Sequence, residues 1–62
     1  MSTELEIRER QKNHLRVLLT LKKLNLSVDI VRLDDFVREA IVPMSQEDIA
    51  WVEKIVGISA ID

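Results

Sequence analysis

Four basic residues of the N-terminal half are candidates for binding a negatively charged ligand. They are Arg8, Lys12, Arg16 and Lys23. On a helix with about 100° between successive residues, they fall within about 80° of one another. A basic helix face can bind the phosphates of a nucleic acid. The pattern gives one functional hypothesis, a small DNA-binding transcriptional regulator; the alternative is an ordinary solvated cationic face.

Catalytic and metal chemistry find little support in the residue types. The chain has no cysteine and a single histidine, His14, which has no acidic residue three or four positions away. Asp34 and Asp35 are adjacent, so on a helix their carboxylates point about 100° apart and do not converge on a cation. We therefore expect a protein that is not an enzyme, with no catalytic residue, no metal ligand and no cofactor.

The basic residues need a helix to position them, and the local sequence predicts one. Thr3 followed by Glu6 has the capping-box pattern that begins a helix. Good helix formers follow without glycine or proline as far as Leu24. Asn25 tolerates the left-handed conformation that ends a helix, so we expect the first helix over residues 3–24.

Two shorter helices follow from the same kind of signal. Ser27 is a candidate N-cap for the second helix, and Pro43 ends it because the residue before a proline leaves the α region. Ser45 caps the third helix, and Gly57 lies where a helix end needs a positive φ. The predicted helices are 3–24, 28–42 and 46–56.

The fold class follows as all-α, a single small helical domain over residues 1–62 with a long first helix and two shorter ones. Residues with hydrophobic side chains make up 47% of these 62 residues. A chain this short buries only about 60% of the surface that it exposes when unfolded. We therefore expect a dimeric helical bundle, in which a second copy covers the remaining apolar surface.

Leucines concentrate in the second half of the first helix, on most of its circumference. A helix that is apolar nearly all round is buried on several sides. The predicted self-interface is Leu15, Leu18, Leu19, Leu21 and Leu24. The predicted intrachain core is Phe36, Ile41, Val52 and Ile55. The main functional hypothesis is a non-enzymatic protein–protein interaction module that acts as a homo-oligomer; the same leucines suit a different protein partner equally well.

Charge is distributed unevenly along the chain. Residues 1–26 hold six basic and three acidic side chains, a formal charge of +3, and residues 27–62 hold three basic and eight acidic ones, a charge of −5. Such an asymmetry favours contact between the two halves, within a chain or between chains, over contact with an outside polyanion.

The chain offers no feature typical of a membrane or secreted protein. Its first residues are polar and acidic, unlike a secretory signal. Its longest apolar run is four residues, against the roughly 20 that span a bilayer. We expect a soluble, cytoplasmic protein that does not bind membranes.

Overall fold

The computed structural model describes residues 3–25 and 30–60. These residues form three helices and no strand: α1 (Glu4–Leu24), α2 (Ile30–Ile41) and α3 (Gln46–Val56). The all-α prediction with a long first helix is confirmed. The predicted start of the second helix at residue 28 and its N-cap Ser27 lie outside the described residues.

The caps of α1 follow the sequence prediction. The Thr3 hydroxyl accepts a hydrogen bond from the Glu6 backbone N–H at 3.2 Å, which satisfies one of the unpaired donors of the first turn. Asn25 has φ 55° and ψ 39°, the left-handed conformation expected at a helix end. Its N–H donates to carbonyls of the last turn, so the chain leaves the helix with those groups paired.

The boundaries of the two shorter helices depend on three residues. Pro43 stops α2, whose last residue is Ile41, one position before the predicted end. The Ser45 hydroxyl accepts a hydrogen bond from the Asp48 N–H at 3.2 Å and so begins α3. Gly57 ends α3 at φ 90°, a conformation that residues with a Cβ rarely adopt.

Both shorter helices pack against α1. At about 1.5 Å per residue α1 is about 32 Å long, and it runs most of the 36 Å length of the molecule. An ion pair between Lys22 and Asp34 joins the end of α1 to the first half of α2. Pro43, just after α2, lies beside Glu4 and Arg8 at the start of α1, so these helices are antiparallel. Arg8 near the start of α1 contacts Asp48 near the start of α3, and Lys23 near the end of α1 contacts Val56 at the end of α3, so these two helices run parallel.

The hydrophobic core lies where α2 and α3 meet α1. Its members are Leu15, Leu18, Leu19, Leu33, Val37, Met44, Val52, Val56 and Ala60. Three of the five leucines expected at a self-interface are therefore covered by the chain itself, since Leu15 and Leu19 are fully buried and Leu18 nearly so. These three positions face α2 and α3, because an i, i+3, i+4 stripe makes one helix face.

Two of the four residues expected in the core are not buried. Phe36 and Ile55 are each 47% exposed, so that part of the prediction is wrong. Phe36 is about 100° away from Val37, the residue that α2 buries against α1, and Ile55 is similarly displaced from Val56 on α3. Val52 is fully buried and Ile41 packs partly buried against the core, as expected.

Candidate interaction surface

Arg8, the first residue of the predicted basic face of α1, forms an ion pair with Asp48. Its Nε donates to Asp48 Oδ2 at 3.1 Å and its Nη2 donates to Asp48 Oδ1 at 2.9 Å. This fork-to-fork geometry is the strong form of a carboxylate–guanidinium contact. Arg8 therefore binds the start of α3 and does not present a free charge to a nucleic acid.

Asp48 is a buried acid whose environment is arranged for its charged form. Only 5% of the residue is exposed. The hydrogen bond from Arg8 lowers the pKa of the Asp48 carboxyl, against the opposing effect of desolvation, with smaller contributions from Lys12 and Ser45. The sequence pointed to Asp48 only as an acid in the first turn of a helix; its partner, 40 residues away, needed the fold.

Two more residues of the basic face are also used within the chain. The Lys12 ammonium lies 3.1 Å from a Glu9 carboxylate oxygen and 4.7 Å from the centre of the Trp51 ring. The Lys23 ammonium donates to the Val56 carbonyl oxygen at 2.7 Å, and so caps the C-terminus of α3. The Lys12–Trp51 and Lys23–Val56 contacts tie α1 to α3.

The position of the basic face explains why it is used this way. On α1 it borders the buried stripe of Leu15 and Leu19, on the side where α3 packs. The side chains along it therefore meet the neighbouring helix before they meet solvent. Arg16 lies farthest from the stripe, and its guanidinium has no partner among the described residues. The ion pairs Arg8–Asp48 and Lys22–Asp34 confirm that the basic and acidic halves face each other within the chain.

The opposite face of α1 carries apolar side chains that nothing covers in the described chain. Val17 and Leu24 lie about 160° and 180° from the buried Leu15. They are 58% and 57% exposed. Leu21 lies between them and is half-buried against the edge of the core. Of the five leucines expected at a self-interface, Leu21 and Leu24 are the two that reach this face.

A shallow depression runs along the same face. It is lined by Asn13, Arg16, Val17, Thr20 and Leu21. The Thr20 hydroxyl donates to the Arg16 carbonyl oxygen at 2.7 Å, within the helix. Because this hydroxyl already has a partner, a surface that packs on Thr20 leaves no polar atom unpaired there. We call Val17, Thr20, Leu21 and Leu24 the apolar seam of α1.

The seam continues toward the N-terminus with polar residues. Glu6, Arg10 and Asn13 precede Val17 at spacings of four, three and four residues, the spacing of a two-helix contact. All three are exposed. We call these residues the polar seam. The outer face of α1 is thus apolar in its C-terminal half and polar or charged in its N-terminal half.

Other exposed hydrophobic side chains are more scattered. Trp51 and Ile55 are adjacent on α3, but the Lys12 ammonium covers part of the Trp51 ring. Phe36 lies on the flank of α2. Val31 and Val42 lie near the two ends of α2 and are 75% and 81% exposed. Single exposed apolar residues are common on soluble proteins. Val17 and Leu24 differ from these because they share one face of α1 with Leu21.

Within residues 3–25 and 30–60, no group of three or more histidine, cysteine, aspartate or glutamate residues is arranged to hold a metal ion. None of the described helices has the length and apolar character needed to cross a membrane.

The chain matches no protein-family model, and comparisons with curated proteins and with solved structures return no significant match.

Proposed function

We propose that this chain is a non-enzymatic interaction module that binds a second copy of itself through the apolar seam of α1. The observation that carries the proposal is the position of Val17 and Leu24, more than half exposed on the side of α1 that faces away from α2 and α3. Burying apolar surface contributes about 25 cal/mol per Å² removed from water. A small domain with a thin core gains much from such a contact.

The sequence also predicts a homo-oligomer, but the contact surface proposed here is the apolar seam and no longer includes the buried leucines of α1. Leu15, Leu18 and Leu19 already stabilise the single chain. A charge at Leu18 would therefore unfold the chain and report nothing about association. Leu21 and Leu24 stay in the proposed interface, and Val17 and Thr20 join them.

A nucleic-acid function has weaker support. Arg8, Lys12 and Lys23 each have a partner within the chain. The partner of Arg8 is Asp48, a buried residue of α3. Binding phosphate with these cations would mean giving up contacts that hold α1 and α3 together. The self-association function needs no such exchange, because the apolar seam is free in the described chain.

The test is a matched pair of charge substitutions, Val17→Glu and Val31→Glu. Both replace an exposed valine on a helix, and only Val17 lies on the seam. We expect wild type and Val31→Glu to have the mass of a dimer by light scattering, and Val17→Glu to have the mass of a folded monomer. Equal masses for the two variants, with unchanged helix content, would contradict the proposal.

A further inference from the structure

Residues 57–60 continue past the end of α3 and fold back against the core. The chain turns at Gly57, where φ is 90°. The carbonyl oxygen of Val56, just before this turn, accepts a hydrogen bond from the Lys23 ammonium at 2.7 Å. Ala60 is buried within the core cluster, and Ile58 packs against that cluster. We call residues 57–60 the strap.

The strap lies beside both of the shorter helices. These two helices pack on α1 more extensively than on each other. Ala60 lines a shallow depression together with Ile41, the last residue of α2, and Ile49 in the first half of α3. The other residues that line it are Gln46, Ala50 and Glu53. The strap therefore adds apolar contact at a place where α2 and α3 are both within reach.

One hydrogen bond anchors the far end of the strap. The Ala60 backbone N–H donates to Glu53 Oε2 at 2.6 Å. Hydrogen bonds to an ionised carboxylate are shorter and stronger than those between neutral groups. Among the described residues, no other hydrogen bond reaches residues 58–60. Glu53 is thus the polar group that holds the strap on α3.

We infer that the strap opens and closes as a separate unit, and that the Glu53 side chain is its catch. Ordering a segment outside a helix costs conformational entropy, most of all at a glycine. The strap sets against this cost one buried alanine, one partly buried isoleucine and one hydrogen bond. A segment with so few contacts opens at a lower free energy than the helices that carry the core.

Opening of the strap changes the surface of the molecule. Ile41 and Ile49 are half-buried while Ala60 lies beside them. When Ala60 leaves the core, more of both side chains meets water, together with the core atoms that Ala60 covered. The strap is therefore a removable cover over an apolar surface of α2 and α3. None of these residues belongs to the apolar seam, so strap opening does not depend on self-association.

Hydrogen exchange of single amides, followed by nuclear magnetic resonance on the full chain, tests this inference. The Ala60 amide reports the strap. The Val52 amide reports the helices, because Val52 lies in the middle of α3 with its side chain fully buried. Each rate is expressed as a protection factor relative to the unfolded chain. In wild type we expect Ala60 to be protected, but about tenfold or more weakly than Val52.

Glu53→Ala removes the catch. We expect the protection factor of Ala60 to fall by about tenfold, since a hydrogen bond to a charged group is lost. The protection factor of Val52 should stay within about twofold of wild type. Glu39→Ala makes the same change at an exposed glutamate of α2 and should leave both amides as they are in wild type.

Three results would overturn the inference. The first is a wild-type Ala60 amide that is unprotected, or protected as strongly as Val52. The second is a Glu53→Ala chain in which Ala60 keeps its protection. The third is an equal loss at Ala60 and Val52, which would mean that Glu53 stabilises the whole fold and that the strap does not open separately. If Glu53→Ala loses helix content by circular dichroism, Glu53→Gln replaces it in the same comparison.

Discussion

The guanidinium of Arg8 donates two hydrogen bonds, 2.9 and 3.1 Å long, to the carboxylate of Asp48, which lies 40 residues away in the sequence. Asp48 also belongs to the N-terminal turn of α3, where its N–H donates to the Ser45 hydroxyl. One residue thus takes part in both the start of α3 and its attachment to α1. The pair lies at the end of the molecule away from the apolar seam.

Replacing Asp48 by Asn should destabilise the fold in a pH-dependent way. The pKa of Asp48 is lowered in the folded chain, mainly by the Arg8 hydrogen bond, so the unfolded chain takes up the proton first. The stabilising contribution is complete above about pH 4 and is lost as the pH falls through the lowered pKa. We expect the urea midpoint of Asp48→Asn to lie well below that of wild type at pH 7, and the gap to narrow below pH 4.

Asp35→Asn is the matched control for that measurement. Asp35 pairs with Arg38 at 3.6 Å within α2, and both side chains are well exposed. Exposed pairs of this kind contribute about 0–1 kcal/mol. The midpoint of Asp35→Asn should stay close to that of wild type at both pH values. A gap for Asp48→Asn that is equally small, or that does not change with pH, would contradict the role given to the Arg8–Asp48 pair.

The burial of Leu19 predicts a large loss of stability on truncation. Leu19→Ala removes a fully buried side chain and leaves a cavity, which costs about 2–5 kcal/mol. Leu5→Ala makes the same chemical change at a residue that is 66% exposed, and should cost far less. Urea denaturation at one fixed protein concentration compares them. Similar losses in the free energy of unfolding for the two variants would contradict the placement of Leu19 in the core and of Leu5 at the surface.

The backbone at Gly57 predicts sensitivity to a single methyl group. With φ at 90°, Gly57→Ala should lower the free energy of unfolding by about 1 kcal/mol or more. The added Cβ would also lie 3.3 Å from the Lys23 ammonium, which caps α3. Asn25→Gly is the opposite change at a second left-handed position of the described residues, and should leave stability within about 0.5 kcal/mol of wild type. Thermal unfolding reports both, and a neutral Gly57→Ala would contradict the conformation assigned to that residue.

The contact between Lys12 and Trp51 can be followed by fluorescence, since Trp51 is the only tryptophan. Removing the ammonium with Lys12→Met takes away the cation 4.7 Å from the ring centre. We expect a change in the emission maximum and in quenching by iodide, because the charge beside the ring is lost. Arg10→Met makes the same change of charge at an exposed residue on the opposite side of α1 from Lys12, so it serves as the control and should leave both readings near wild type. Equal effects of the two variants would contradict a contact between Lys12 and Trp51.

Local signals in the sequence were enough to place the helices. Thr3, Asn25, Ser45 and Gly57 act at helix ends through the backbone within a few residues, so their roles follow from residue type and position. Pro43 acts in the same way. For the described residues, the three predicted helices and the caps of α1 and α3 are therefore correct, and the boundaries that can be compared agree to within a residue or two.

The sequence did not show which apolar residues of α1 are covered by α2 and α3. That depends on how the helices pack, which local sequence patterns do not specify. Leu18 and Leu24 are both leucines on the same helix, yet one is buried by the chain and the other is 57% exposed. Periodicity gives their angle about the α1 axis, and only the positions of α2 and α3 decide which angle is covered. The same reasoning applies to the basic face, where Arg8 looked solvent-facing until α3 was placed beside it.

Sedimentation equilibrium of the wild-type chain over a wide concentration range measures whether the chain associates with itself. If the apolar seam holds two copies together, we expect a mass near twice the 7.2 kDa of one chain, and a shift to 7.2 kDa for Leu24→Glu at the same concentrations with helix content retained. A wild-type chain that stays folded at 7.2 kDa at every concentration would contradict it. So would a Leu24→Glu chain that stays dimeric.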